Sequence, residues 1–209
     1  MLENKTFTAD FNISGNGEFE ALCFQRHLYQ PLLWLNAEAF KVEDVDMPIR
    51  IVPIALNQGE RDFIKHLRAY YDGHPDFFKD KSLYLLRNKS RKGIGFFYYQ
   101  GFYPDFILWL VSGRKQYISF IDPKGLRNIK GFDDPKIRLA ETIRADIEPQ
   151  LNDPDVILNS FIISITPFND IRHWSGTKDI TDFNNRHVYF QKDQKHEYID
   201  MLMKAILGT

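Results

Sequence analysis

One cysteine, Cys23, stands among 209 residues, which excludes an internal disulfide framework and any Cys-rich zinc site. A reducing, cytoplasmic compartment is the expectation. No apolar run approaches the roughly 20 residues that a membrane-spanning helix needs. The longest, Phe106 to Val111, has the length of a strand. Charge of one sign is not in excess either: 27 basic residues meet 28 acidic ones, for a net charge of −1. A chain so balanced does not coat DNA by charge alone, so any nucleic-acid contact must use a local patch. Repeats and low-complexity stretches are absent, and 44% hydrophobic residues exclude disorder as a description of the whole chain. Aromatics are plentiful, with 18 Phe and 10 Tyr, so the core is expected to be bulky.

The patterning reads as an α/β chain with a mixed central sheet flanked by helices. Residues 6–13 alternate like a strand, and 18–30 read as an apolar helix that Pro31 ends. The acidic stretch 41–48 marks a soft boundary. An N-terminal extension, 1–48, is expected to pack on a main domain, 49–209. Residues 49–56 read as a strand interrupted at Pro53. Asn57 can cap a helix to about Tyr71, with Phe63, Ile64, Leu67, Tyr70 and Tyr71 as its apolar stripe. Strands are expected at 82–86, 94–99, 104–111, 116–122, 156–166 and 187–190. Helices are expected from Pro135 to Pro149 and at the C-terminus.

Two apolar runs flank Ser112-Gly113-Arg114-Lys115, and a Gly-x pair suits a two-residue type II′ hairpin turn. With Gly113 and Arg114 at its centre, Asp105 falls opposite Asp122, with Cβ atoms about 4.5–5.5 Å apart. Lys124, two residues on, points to the same face. Two carboxylates that close repel each other, and one lysine does not neutralise both. Mg²⁺ or Mn²⁺ would, because a hard cation takes oxygen ligands from one or two carboxylates, water and a phosphate. The Pro123 carbonyl can add an oxygen. Such a cation activates water and offsets charge on a phosphodiester, and Lys124 can do likewise. Glu60 offers a third acid from the core-facing stripe of its helix. Asn57-x-x-Glu60 is equally a capping box that would occupy Glu60 locally. A plain salt bridge of Lys124 with Asp105 and Asp122 accounts for the same residues without chemistry.

Pro104-Asp105 followed by Asp122-Pro123-Lys124 at the end of the next strand resembles the PD-(D/E)xK nuclease motif. Gly101-Phe102-Tyr103 and Gly125 extend the likeness. Leu56-Asn57-Gln58-Gly59-Glu60-Arg61-Asp62-Phe63, with His27-Leu28-Tyr29-Gln30-Pro31-Leu32 upstream, resembles the C-terminal endonuclease region of type III restriction-enzyme-like DEAD/DEAH helicase subunits. The resemblance implies a restriction-endonuclease-like fold and Mg²⁺-dependent hydrolysis of DNA phosphodiesters. It implies a helicase or restriction-modification subunit as partner, with no membrane. It implies Glu60, Asp105, Asp122 and the Pro123 carbonyl as metal ligands and Lys124 as catalytic. The second acid is Asp122, where Glu is commoner, which shortens the reach by one methylene. No Gly-x-x-x-x-Gly-Lys-Ser/Thr loop of a helicase motor is present. The basic stretch Lys79 to Lys92, with Arg87, Lys89, Arg91 and Lys92, offers a DNA-backbone contact or simply a solvated face. Lys136 is read the same way: a phosphate contact or a solvated first-turn lysine. The alternative function is a nuclease-like module that binds nucleic acid or a protein partner without cutting.

Overall fold

The computed structural model describes residues 56–88, 93–96, 102–129, 131–171, 174 and 179–209, and the backbone of strands at 7–9, 19–22 and 32–35. Those three strands, β1 (Phe7–Ala9), β2 (Phe19–Leu22) and β3 (Leu32–Leu35), form an antiparallel sheet in that order. The helix expected over 18–30 is thereby corrected at its start. Phe19-Glu20-Ala21-Leu22 alternates as well as it turns, and pairing with neighbours on both sides decides for the strand. Residues 23–30 and the strand expected at 49–55 lie outside the described residues.

Among the described residues, the main sheet has five strands in sequential order: β4 (Lys81–Arg87), β5 (Phe106–Ser112), β6 (Lys115–Lys124), β7 (Val156–Ser164) and β8 (Val188–Phe190). β4, β5 and β6 are an antiparallel meander, and β6, β7 and β8 run parallel. The parallel half needs crossovers, and helices supply them. α3 (Pro135–Thr142) links β6 to β7, and the short α4 (Phe168–Ile171) and α5 (Thr181–Asn184) link β7 to β8. The expected strand over 94–99 is seen only where Phe96 bridges Phe102; residues 97–99 lie outside the described ones.

Two helices cover one face. α1 (Gln58–Gly73) begins on a complete capping box and buries Phe63, Ile64, Leu67 and Tyr70 at helical spacing. It packs with α6 (Glu197–Leu207) over Leu83, Leu85, Phe106, Leu108, Leu110, Ile121, Phe161 and Ile163. The short α2 (Pro75–Phe78) follows α1 and adds Phe78 to this core. On the other face, α3 and the turn after it set Leu139 and Ile143 against Ile107, Phe120 and Leu158. The helix expected to reach Pro149 stays α-helical only to Thr142. It loosens into a π turn at Ile143–Ile147 and tightens into a 3-10 turn at Glu148–Leu151. Pro149 has no N–H and its ring crowds the carbonyl four residues back, so the regular ladder cannot run through it. No helix among the described residues is long and apolar enough to cross a membrane.

Candidate active site at the end of the β5–β6 hairpin

Gly113 has φ +59° and Arg114 is not in the positive-φ region, the signature of a type II′ turn. Pairing runs from Ser112 with Lys115 to Phe106 with Ile121. The next opposed residues are Asp105 and Asp122, the register the turn chemistry requires. Alternation puts Asp122 and Lys124 on the face of Phe120, beneath α3. Asp105 shares that face with Ile107. The same alternation sends the backbone of odd-numbered β6 residues toward β5. Pro123 would there face Pro104, which has no N–H to give. Two opposed prolines thus end the ladder.

The carboxyl groups of Asp105 and Asp122 are hydrogen-bonded to each other. Asp122 is only 4% exposed, and Lys124 Nζ donates to its Oδ2 at 2.8 Å. Burial first, then the charge and hydrogen bond of Asp122, then Glu60, push Asp105 up to about 8; Lys124 offsets only part of this. At neutral pH Asp105 therefore holds its proton. Burial works against the Lys124 ammonium, but Asp122, the contact with Lys136 and the charge of Asp105 together hold its pKa above the ordinary lysine value. Lys136 Nζ lies beside Lys124, and burial, then that neighbour, lower its pKa. Both ammonium groups lie over the Phe102 ring, at 5.9 Å for Lys124 and 5.5 Å for Lys136. Lys136 is thus part of the site, not a solvated first-turn residue. Asp134 fixes it there by capping α3 through the Lys136 N–H at 3.0 Å.

Glu60 approaches from the opposite face of the sheet, and here the ligand role implied by resemblance meets a competing bond set. Its Oε2 accepts from the Asn57 N–H at 3.1 Å and its Oε1 from Asn57 Nδ2 at 2.7 Å. Arg87 Nη2 lies 3.5 Å from Oε2. The capping reading is the one observed. Burial raises the Glu60 pKa; Arg87 and the Asn57 N–H oppose that, and the Asp122 charge adds to it. Among the described residues, no three His, Cys, Asp or Glu side chains stand together as a set able to hold a metal ion. Arg87, expected with the solvated basic stretch, instead has a side chain 17% exposed and turned onto Glu60. Lys89, Arg91 and Lys92 lie outside the described residues.

Asn88 is a positioning residue that the sequence reading missed. Its side chain takes Ile94 N–H at 3.0 Å and donates to Ile94 O at 2.7 Å and Pro104 O at 2.9 Å. Its own N–H donates to Asp105 O at 2.8 Å. It therefore pins the backbone on which Asp105 stands to the end of β4. Nothing local marks it, because its partners lie as far along the chain as Pro104 and Asp105. No family model, curated protein or solved structure matches this chain.

Proposed function

We propose that the chain is a metal-dependent nuclease that hydrolyses DNA phosphodiester bonds. The observation that carries this reading is the pairing of Asp105 with the buried Asp122, itself bonded to Lys124, where the β5–β6 ladder ends. The proton that Asp105 holds occupies the place of a cation. Asp105, Asp122 and the Pro123 carbonyl suit Mg²⁺ or Mn²⁺, which keep several waters and take the rest from a phosphate. When bound, the cation supplies Lewis acidity toward water and phosphate. Lys124 orients the attacking water and offsets charge on the phosphorus oxygens. Lys136, held against it by Asp134 and Phe102, donates to a non-bridging phosphate oxygen. In the reaction, a water oxygen gives up a proton to solvent and bonds to phosphorus, the bond to the leaving sugar oxygen breaks, and that oxygen takes up a proton from solvent. The sheet order and hairpin are compatible with a restriction-endonuclease-like fold, and the DNA-cutting portion of a helicase-nuclease or restriction system in the cytoplasm is the setting that suits it.

A second reading draws on Glu60. With its oxygens held by the cap and Arg87, the chain resembles a nuclease-like module that binds nucleic acid or a protein partner without cutting. Incubating the protein with supercoiled plasmid and Mg²⁺ or Mn²⁺ separates the two. Nicking or linearisation that EDTA abolishes is expected, and its absence with both metals would leave only the second reading.

A further inference from the structure

The three parallel strands β6, β7 and β8 all end on the same edge of the sheet, and a crevice of about 400 Å³ opens beyond their carboxyl ends. Crevices at this edge of an open α/β sheet are where ligands bind. Its walls come from the segments that leave the strands: Gly125, Arg127 and Asn128 after β6, Ile165 and Thr166 after β7, and Lys192 after β8.

These segments are held. Ile165 N–H donates to Lys124 O at 3.0 Å, and Leu126 N–H donates to Thr166 Oγ1 at 2.9 Å. Gln191, buried beside Lys192, donates to Gly59 O at 2.8 Å and so ties the β8 end to the start of α1. The two charges that line the crevice are both positive. Arg127 also meets Asp170 at 2.8 Å, an exposed pair that contributes little and is readily exchanged. Lys192 pairs with no carboxylate among the described residues. The nearby Asp193 carboxylate is turned to the Phe168 N–H at 3.0 Å. Gly125 follows Lys124 directly, so the crevice begins where the carboxylate pair ends. Three residues of chain put the Arg127 Cα at most roughly 11 Å from that of Lys124.

We propose that this crevice binds a backbone phosphate of the nucleic-acid strand next to the one being cut, with Arg127 and Lys192 as its ligands. That choice of ligand rests on the nuclease reading. The site gives the strand a second anchor and leaves the reacting phosphate to Lys124 and Lys136.

The test is fluorescence anisotropy of a labelled duplex oligonucleotide titrated with full-length protein in EDTA across a salt series. The proteins are wild type, Arg127→Gln/Lys192→Gln, and an Arg114→Gln/Lys115→Gln control at the far end of the β5–β6 hairpin. One lost phosphate contact lowers the slope of log affinity against log salt by about 1. The crevice variant should show that drop with several-fold weaker binding, while the control matches wild type. Lys192→Gln alone is the fallback should loss of the Asp170 partner lower the melting temperature. An unchanged slope, or a wild type that does not bind, overturns the proposal. So does a crevice that inorganic phosphate stabilises thermally while the oligonucleotide slope is unchanged, since that would be a site for free anions. Plasmid cleavage by the wild type is scored separately. If it fails while the crevice variant still loses slope, the nuclease reading falls and the phosphate site stands.

Discussion

At the residue scale the site is governed by the proton on Asp105. In the unfolded chain this group titrates near 3.8, and in the folded, metal-free protein it is pushed up to about 8. The folded state therefore binds the extra proton between those values. The stability this brings is complete below the unfolded value and is lost as pH rises through the folded one. Urea unfolding in EDTA should thus show the midpoint falling as pH rises from about 4 to about 8. Asp105→Asn, which cannot lose a proton, should flatten that fall, and an equally steep fall in the variant would show that other groups cause it. Lys124 makes a separate claim. Its bond to Asp122 is structural, and in the proposed reaction it also offsets charge on the phosphate. Lys124→Ala should reduce plasmid cleavage by at least ~100-fold, the lower range for one preorganised charge-stabilising group. Duplex affinity should change little. Cleavage at wild-type rate in that variant would remove lysine from the mechanism.

At the scale of elements the site depends on how closely α1 approaches the parallel strands. A Cβ on Gly59 would lie 2.3 Å from Ile165 Cγ2, a branch fixed next to the backbone. Elsewhere in a helix, alanine for glycine gains up to ~1 kcal/mol. Here overpacking costs ~1–3 kcal/mol, so Gly59→Ala should lower stability by about 1–2 kcal/mol in denaturant titration. A neutral or stabilising result would mean that the helix start and Ile165 separate freely. The hairpin was legible in the sequence for a physical reason. Gly-x at the centre of two apolar runs fixes turn type, turn type fixes register, and register fixes which side chains oppose. The cap of α1 was legible as one of two readings, and only the geometry showed both Glu60 oxygens engaged. The Phe19–Leu22 strand was not legible, because four residues cannot separate a period of 2 from one of 3.6. The break after Thr142 follows from Pro149, but the π form of the intervening turn is not written in any local pattern.

At the scale of the whole molecule, a chain of net charge −1 must concentrate its positive charge to meet DNA. Lys124, Lys136, Arg127 and Lys192 lie along the carboxyl edge of the sheet, and the Lys89–Lys92 stretch follows the end of β4. Lys136 was legible as a candidate phosphate contact, but its place beside Lys124 and the role of Asn88 come from contacts made only on folding. Neutralising Lys89, Arg91 and Lys92 together should lower the salt slope of duplex binding by roughly 1–3, according to how many touch phosphate. An unchanged slope in the same anisotropy assay would place the DNA away from that stretch.

The most direct measurement of the central claim, that Asp105 and Asp122 hold a divalent cation, is a thermal melt of wild type and Asp122→Asn in EDTA and again with Mn²⁺. In EDTA the two should melt close together, because the substitution removes the like charge that opposes Asp105 at nearly constant shape while it weakens the bond to Lys124. Mn²⁺ should raise the wild-type melting temperature, since a ligand bound by the native state stabilises it by mass action, and the variant should lose most of that shift. A wild type indifferent to the metal, with a variant that melts several degrees lower in EDTA, would contradict the account and leave Asp122 as the salt-bridge partner of Lys124.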